Sequence, residues 1–334
     1  MKFGIFITLF RFRVINYNCR CVSAVIERLL KMKNDCGVKV LVVFDGNTPP
    51  CKIEACNHRK TLRKGAADIQ ENENESPSSR LKAARRAGAT KALATNMHIL
   101  LLQSLRSADI NIPFMVAPYE ADGQLAYLSR EGFVDLLITE DSDLIGYGSR
   151  SILFKLNNEN YGDLYLRRDL GACQTFRLTN FSDAALATAF VAAGCDYLPS
   201  LPGIGIVKAR NAVASAFMIE GGNYGPSDPS LERLFHLLYQ ATTHKLSGDD
   251  RDEYEKKFLA ALLMYRHSIV FTIDGRCAFC NDPSTTSDPE FLSYPPYKNL
   301  ISNDENIEQC VGQKYDDQIS HIIMGGWLNA RTLK

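Results

Sequence analysis

The sequence predicts an α/β protein in which a mostly parallel sheet is followed by a helical region. Strand-like and helix-like patterns alternate over the first two-thirds of the 334 residues, as expected where helices connect parallel strands. VKVLVVFD, residues 38–45, is a continuous apolar run typical of a strand buried on both faces. Beyond about Phe181 the pattern is mostly helical, which predicts a second part of the chain.

The individual elements follow from apolar periodicity and from breaks in it. The sequence predicts a helix from Val22 to Met32 and then the strand at 38–45. Polar sequence, including DIQENENESPSSR, occupies residues 49–91. After it we expect a helix at 92–107, a strand at 112–117, a helix at 120–131 and a strand at 134–139.

Composition limits the classes of function. Lys plus Arg equals Asp plus Glu at 38 each, so the chain has no overall charge bias toward nucleic acid, and any such affinity must come from local patches. The 10 cysteines show no disulfide framework, which predicts reduced thiols inside the cell. The apolar opening MKFGIFITLF is shorter than the roughly 20 residues of a membrane span, so we expect no membrane association.

Acidic residues follow three of the predicted strands. Asp45 follows VLVVF, Glu120 and Asp122 follow FMVAPY, and Asp141 and Asp143 follow DLLIT. Because the carboxyl ends of parallel strands meet at one edge of a sheet, where ligands bind, we expect these five carboxylates to lie close together. They would repel one another unless cations lay between them.

Carboxylate-rich oxygen sites suit Mg²⁺ or Mn²⁺. Two such ions can activate an attacking water and stabilise the leaving oxygen of a phosphodiester. Any one of these acids alone could equally be a solvated turn or a helix cap. It is their recurrence at successive strand ends that favours a metal site.

Basic residues follow the first of these acids. Lys52, Arg59 and Arg63 are spaced by 7 and 4 residues, which places them on one face of a helix. Such a face could bind the scissile phosphate and stabilise charge in the transition state. The alternative is an ordinary solvated helix surface.

A glycine turn lies in GCDYLPSLPGIGIVKAR. Gly203 and Gly205 let backbone N–H groups approach an anion without obstruction from a Cβ atom, and Lys208 and Arg210 in the next predicted helix favour phosphate as that anion. Asp196, just before the turn, is a sixth acid.

These motifs together resemble the signature blocks of the structure-specific 5′ nucleases, a superfamily that includes flap endonucleases, exonuclease 1 and the xeroderma pigmentosum group G nuclease. The blocks are LVVFDGNTPPCK, VAPYEADGQLAYL, ITEDSDLI and GCDYLPSLPGIG. APYEAD, QLAYL, EDSDL and DPEFLSY favour the exonuclease 1 branch over flap endonucleases.

The resemblance implies roles for individual residues. Lys52 and Arg59 match the basic pair that contacts the scissile phosphate, and Arg63 lies on the same predicted helix face. Gly203 and Gly205 match a helix-two-turn-helix that grips duplex DNA with a K⁺ ion, and Lys208 and Arg210 would position the duplex. The metal-site acids are matched by Asp45, Glu120, Asp122, Asp141, Asp143 and Asp196.

The fold that the resemblance implies is a PIN-like parallel-sheet nuclease domain with a helical arch and a helical DNA-binding extension. We expect an atypical segment at 1–16, a nuclease core at 17–180 with the arch at about 50–107, the helix-two-turn-helix region at 181–290 and a C-terminal segment at 291–334 that packs back on the core.

The activity that the resemblance implies is Mg²⁺-dependent 5′ to 3′ hydrolysis of double-stranded DNA, with cleavage of 5′ flaps, in mismatch repair and recombination. Mn²⁺ could substitute for Mg²⁺. The partners would be duplex DNA with 5′ ends, nicks or flaps, and mismatch-repair proteins, although we expect the long tail through which exonuclease 1 engages those proteins to be absent. A monomer in the nucleus is expected.

One departure from the family concerns its first strand, which ends in a metal-binding aspartate. Residues 1–16 contain neither Asp nor Glu, so the first family strand is apparently missing; KFGIFITLF could fill its place without supplying the ligand. Two explanations stay open: an incomplete N-terminus, or a chain that binds DNA junctions and cuts poorly. A small-molecule phosphatase would leave the basic helix and the glycine turn unexplained.

Overall fold

The structure, a computed structural model, describes residues 6–8, 20–57, 61, 93–107, 109–173, 176–217, 231–283 and 294–328. Its main sheet has six strands in the spatial order β3-β2-β1-β4-β5-β6. Adjacent strands are parallel except for β5 and β6, which are antiparallel. The strands are β1 (Phe6–Thr8), β2 (Leu41–Phe44), β3 (Phe114–Val116), β4 (Leu137–Ile138), β5 (Ser151–Phe154) and β6 (Asp163–Leu166).

Helices connect these strands and make up most of the later chain. Short 3-10 helices lie at Pro50–Lys52 and Arg167–Ala172, and a hairpin pairs β7 (Ile269–Phe271) with β8 (Cys277–Phe279). The α-helices are α1 (Arg20–Asp35), α2 (Leu93–Leu105), α3 (Ala121–Arg130), α4 (Asp143–Gly146), α5 (Asp183–Ala193), α6 (Ile206–Ala216), α7 (Leu231–Ala241), α8 (Gly248–His267), α9 (Pro295–Ile301), α10 (Asp304–Val311) and α11 (Asp317–Met324).

The predicted α/β class is confirmed. The strands expected at 38–45, 112–117 and 134–139 contain β2, β3 and β4, and the helices expected between them form α2 and α3. The observed strands are shorter than the apolar runs that predicted them. An apolar run marks every buried residue, and burial continues past the residues whose backbone groups pair with the neighbouring strand.

The centre of the sheet corrects one expectation. The resemblance to the family predicts that the first family strand is missing. In the structure, however, β1 lies between β2 and β4, with Phe6 paired to both Leu41 and Leu137. Strand pairing uses backbone groups, so it needs no particular side chain. The alternative that residues of KFGIFITLF fill this place is therefore confirmed.

The helical part is organised around the apolar helix α5. Eight of its residues are buried, and it packs against α4, α6 and α8. Further along the chain, Phe235 of α7 packs edge-on against Phe258 of α8, with ring centroids 5.1 Å apart. Such all-round burial is typical of a helix inside a core, so α5 is the centre on which the neighbouring helices pack. No helix in the described ranges is long and apolar enough to span a membrane.

The last described segment, residues 294–328, contacts the end of β3. The hydroxyl of Tyr119 donates to the carbonyl of Gln313 at 3.0 Å, and the rings of Tyr119 and Tyr315 stack with centroids 6.0 Å apart. Gly312 has a φ of 108° and lies directly against the Tyr119 ring. The segment after α10 thus fixes the position of Tyr119, the residue that precedes Glu120.

We predict that Gly312→Ala destabilises the protein by roughly 2–4 kcal/mol, because a Cβ atom would overlap the Tyr119 ring and the positive φ is strained for alanine. The matched control is Gly37→Ala. Gly37 also has a positive φ, of 63°, but no atom lies within 4 Å of the added Cβ, so only the strain of about 1 kcal/mol applies. Equal losses in chemical denaturation would contradict the contact with Tyr119.

Candidate metal centre and nucleic-acid interface

The predicted acids lie at one edge of the sheet. Asp45 follows β2, Glu120 is the N-cap of α3 just beyond β3, and Asp122 lies in the first turn of α3. Asp141 and Asp143 follow β4. The sheet is parallel here, so these strands all end on the same side, as the sequence predicts.

Backbone hydrogen bonds fasten the loops after β2 and β3 to each other. The N–H of Gly46 donates to the backbone carbonyl of Tyr119 at 2.6 Å, and the N–H of Asn47 donates to the backbone carbonyl of Pro118 at 3.0 Å. Asp45 Oδ1 accepts from the N–H of Ala121 at 2.9 Å. A side chain at position 46 would overlap the carbonyl of Ala117, so glycine permits this approach, which places Asp45 beside Glu120.

The loop after β4 presents its acids by local hydrogen bonds. The N–H of Asp141 donates to Thr139 Oγ1 at 3.0 Å, and Asp141 Oδ1 accepts from the N–H of Asp143 at 3.0 Å. Asp141 and Asp143 line a cleft of about 500 Å³ together with Asp196 and Gly194. The sixth predicted acid therefore joins the cluster from the segment after α5.

Lys52 lies within this acid cluster. The 3-10 helix Pro50–Lys52 carries it back toward the sheet edge, where its ammonium contacts Glu120 and lies 3.0 Å from Asp196 Oδ2. Its side chain is only 12% exposed. Burial alone would lower the pKa of Lys52, but the carboxylates of Glu120 and Asp196 raise it above its usual range. The ammonium stays charged and offsets part of the negative charge.

Burial and the repulsion that Lys52 leaves uncompensated raise the pKa of several of these carboxyl groups. Burial, followed by the charges of Glu120, Asp141 and Asp45, raises the pKa of Asp122 well above its usual range. Burial also raises the pKa of Glu120, although Lys52 opposes the change.

Asp143 shows the same effect with a definite value. Burial and the neighbouring Asp141 raise its pKa from 3.8 to about 6. Carboxyl groups that hold their protons this strongly would be stabilised as carboxylates by a cation.

The donor chemistry of the cluster fits a hard divalent cation. Among the residues that the structure describes, no three His, Cys, Asp or Glu side chains converge as a ready-made metal-binding group; Lys52 instead contacts two of the carboxylates. Mg²⁺, however, commonly takes one or two carboxylates and retains several waters. The six acids therefore supply enough oxygen ligands for Mg²⁺ or Mn²⁺ without forming a closed cage.

Two buried tyrosines that the sequence motifs do not predict, Tyr147 and Tyr197, also belong to the site. The hydroxyl of Tyr197 donates to Glu120 Oε2, and the hydroxyls of Tyr147 and Tyr197 are 2.8 Å apart. Burial, and after it Glu120, raises the pKa of Tyr197 well above its usual range, so this hydroxyl keeps its proton. In the sequence, only the position of Tyr197 next to Asp196 indicates that this tyrosine could belong to the site. The direction of its side chain depends on the fold and cannot be read from the sequence.

The glycine turn forms as predicted and precedes α6. Gly203 has a φ of 80°, and a Cβ there would lie 2.6 Å from Thr243. Gly205 is the N-cap of α6, and nothing lies within 4 Å of a Cβ built on it. Lys208 is exposed and donates to the carbonyl of Ala241 at 3.4 Å. The turn and Lys208 therefore remain candidates for contact with a nucleic-acid backbone.

Arg210 is largely buried, in contrast to Lys208. It is 8% exposed, its Nε donates to the carbonyl of Arg177 at 2.6 Å, and its guanidinium lies over the ring of Phe181. On α6, Lys208 and Arg210 project in different directions because two positions span about 200° of helix. Arg210 therefore fastens α6 to the segment that precedes α5, and its contact with a DNA backbone stays a prediction.

The other predicted basic residues, Arg59 and Arg63, lie outside the described residues, as does most of the predicted arch at about 50–107.

Comparison with known proteins gives a consistent family assignment. The XPG I-region matches residues 111–196, which contain five of the six acids. The chain is 35% identical over 239 residues to exonuclease 1 of Arabidopsis thaliana, covering 70% of this chain and 29% of the relative. It is 32% identical over 299 residues to exodeoxyribonuclease 1 of Schizosaccharomyces pombe, covering 89% of this chain and 46% of the relative.

The chain thus spans less than half the length of these relatives. Among solved structures, the catalytic core of Rad2 in complex with DNA substrate superposes with a TM-score of 0.48 at 18% identity, covering 97% of this chain and 91% of that chain.

We predict that Asp143 makes the metal-free protein less stable as the pH rises. Its raised pKa means that the folded state keeps a proton between about pH 4 and 6 that the unfolded chain has lost, so the free energy of unfolding falls as the pH rises through this window. Asp143→Asn removes this effect. With EDTA present, thermal unfolding of the wild type should lose stability relative to Asp143→Asn between pH 4.5 and 7.5. A constant difference would contradict the raised pKa.

Proposed function

Because this chain belongs to the structure-specific 5′ nuclease superfamily, in which it is similar to exonuclease 1 proteins, we propose that it hydrolyses DNA from 5′ ends in a reaction that requires Mg²⁺. The substrates would be duplex DNA with recessed 5′ ends, nicks or 5′ flaps. Two divalent cations would serve the reaction, with Mn²⁺ able to replace Mg²⁺. The observation that carries this proposal is the cluster of six acids at one sheet edge with Lys52 among them.

The acids would hold the cations. In the proposed site, Glu120, Asp122, Asp141 and Asp143 would bind the cations directly, and Asp45 and Asp196 would bind them partly through water. Bound divalent cations would lower the pKa of the attacking water and stabilise charge on the leaving oxygen. The half-buried setting of the carboxylates strengthens these electrostatic effects relative to bulk water.

Lys52 would act on the phosphate. Its ammonium has three N–H donors, two of which face Glu120 and Asp196, and it lies at the opening of the segment that carries Arg59. We propose that Lys52 and Arg59 donate to the scissile phosphodiester and stabilise its charge in the transition state.

The glycine turn would bind the DNA duplex at a distance from the bond that is cleaved. Gly203, Gly205 and Lys208 are proposed to contact the duplex backbone, with K⁺ at the turn when DNA is bound, and Arg63 is proposed to contact the strand near the cut. Such contacts position a duplex without reading its sequence. Terminal nucleotides would unpair to reach the acids, at a cost of a few kcal/mol that is smallest at ends and nicks.

We propose that the chain acts in DNA repair, including mismatch repair and recombination, in the nucleus and as a monomer. The similarity to exonuclease 1 proteins supports the nuclease activity on which this setting depends. The proposed domains are the nuclease core at 17–180, the helix-two-turn-helix region at 181–290 and the segment at 291–334, with residues 1–16 as a separate N-terminal segment.

A second candidate function is a DNA junction-binding protein with weak cleavage. The observation that favours it is β1, which occupies the central strand position in a segment without Asp or Glu. The family's first strand ends in a metal-binding aspartate, and the remaining acids would then bind cations more weakly.

We predict that Asp141→Ala combined with Asp143→Ala abolishes Mg²⁺-dependent nucleotide release from a 5′-labelled duplex and leaves DNA binding largely intact. The two carboxylates lie in the acid cleft and contribute to cation binding, whereas the proposed duplex contacts lie at the glycine turn. Release by the wild type and none by the double variant would support the nuclease. Normal release by the double variant would refute the metal-site assignment, and DNA binding without release by the wild type would favour the second candidate.

We predict that Lys52→Ala lowers the cleavage rate roughly 100- to 1,000-fold and weakens DNA binding much less. Its ammonium lies among the acids, so its contribution should appear in the chemical step. Single-turnover cleavage and equilibrium DNA binding separate the two effects. Lys155→Ala is the control, since Lys155 forms an exposed pair with Asp163 and should leave both quantities unchanged. Equal losses in rate and affinity for Lys52→Ala would make Lys52 a general phosphate contact.

A further inference from the structure

Behind the acid cluster, two tyrosine hydroxyls form a hydrogen-bonded chain that ends on Glu120. Tyr147 Oη lies 2.8 Å from Tyr197 Oη, and Tyr197 Oη contacts Glu120 Oε2. Both tyrosines are buried, at 2% and 8% exposure. Neither residue is among the predicted metal ligands.

The direction of the hydrogen bonds in this chain follows from the number of protons. Glu120, as a carboxylate paired with Lys52, can only accept, so Tyr197 must use its single proton toward Glu120. Tyr197 then has only acceptor capacity left for Tyr147, which must donate. The order is therefore Tyr147 to Tyr197 to Glu120, and hydrogen bonds in such a chain strengthen one another.

Ring packing fixes the positions of the two hydroxyls. The ring of Tyr147 stacks on that of Tyr265 with centroids 4.4 Å apart, and the ring of Tyr197 meets Tyr265 edge-on at 6.1 Å. The three rings come from the end of α4, the segment after α5, and α8. The chain of hydroxyls therefore forms only where these three elements pack together.

The other oxygen of Glu120 is also held by a donor. Glu120 Oε1 accepts from the ammonium of Lys52, and that ammonium lies 5.5 Å from the centroid of the Tyr197 ring. With one donor on each oxygen, the plane of the carboxylate is fixed. A carboxylate has about four lone-pair sites, so each oxygen still has capacity for a cation.

We propose that Tyr197, supported by Tyr147, is a positioning residue that orients the carboxylate of Glu120 for a divalent cation. This inference depends on the proposed function, since it requires Glu120 to be a metal ligand. Hydrogen bonds that orient metal ligands commonly contribute 10- to 100-fold to metal affinity or activity. Because Tyr197 neighbours Asp196 in sequence, one short segment would supply both a ligand and the group that orients another ligand.

The chain also contains a matched buried tyrosine whose hydroxyl is not hydrogen-bonded to any of the acids that the structure describes. Tyr254 of α8 is 7% exposed, and its hydroxyl has no hydrogen-bond partner among the described residues. Removing the hydroxyl of Tyr254 therefore changes a buried side chain by the same atom without touching an acid.

The test measures Mn²⁺ binding to the purified full chain by isothermal titration calorimetry. Tyr197→Phe should weaken Mn²⁺ binding roughly 10- to 100-fold, because the ring stays in place while Glu120 Oε2 loses its donor. Tyr147→Phe should weaken binding less, since Tyr197 keeps its own bond to Glu120. Tyr254→Phe should bind Mn²⁺ as the wild type does. Thermal unfolding of each variant shows whether the fold is retained.

Cleavage provides a second readout. The Mg²⁺ concentration for half-maximal cleavage should rise in Tyr197→Phe, and the rate at saturating Mg²⁺ should recover most of its wild-type value. A general loss of structure would instead lower the rate at every Mg²⁺ concentration.

The outcomes separate this inference from the proposed function. Unchanged Mn²⁺ affinity in Tyr197→Phe, or an equal loss in Tyr197→Phe and Tyr254→Phe, would overturn the positioning role while leaving the metal site standing. If the wild type bound no Mn²⁺ and Glu120→Gln behaved identically, the metal site itself would be overturned, and the positioning role with it.

Discussion

The repulsion among carboxylates at one edge of the sheet is the constraint on which the rest of the site depends. The parallel strands bring Asp45, Glu120, Asp122, Asp141 and Asp143 to the same edge. Burial, and after it the charge of neighbouring carboxylates, raises the pKa of Glu120, Asp122 and Asp143. A fold tolerates such a cluster only if positive charge or hydrogen-bond donors compensate it. Lys52, the two tyrosines and the backbone N–H groups that face these acids supply that compensation here.

The compensating groups come from distant parts of the chain. Lys52 arrives from the 3-10 helix after β2, Tyr197 from the segment after α5, and Tyr119, which precedes Glu120, is held by the chain after α10. Each of these contacts links a helical element to the sheet edge. The geometry of the acids is therefore a property of the assembled fold, and the helical part contributes to the site even where it touches no substrate.

The sequence predicted the class of the fold and the location of the acids because both follow from local patterns. Apolar runs mark β2, β3 and β4, and an acid that follows a parallel strand must lie at the carboxyl edge. Contacts between residues that are far apart in the chain produce no such local pattern in the sequence. The pairing of Lys52 with Glu120 and Asp196, and the burial of Arg210, depend on which way a helix turns its face. A basic residue on a helix has the same sequence signature whether it faces solvent, phosphate or the core, so Lys208 and Arg210 could not be distinguished.

The central strand shows that completing a sheet and completing a site are separate requirements. β1 pairs with both β2 and β4 through backbone groups, so an apolar segment without Asp or Glu can occupy that place. A metal ligand, in contrast, needs a carboxylate at one position. Losing one negative charge from the cluster would weaken its attraction for divalent cations and also reduce the repulsion that Lys52 must offset. The balance between Lys52 and a cation for Glu120 and Asp196 would therefore shift toward Lys52, and the groups that orient Glu120 would gain in importance for binding the cation.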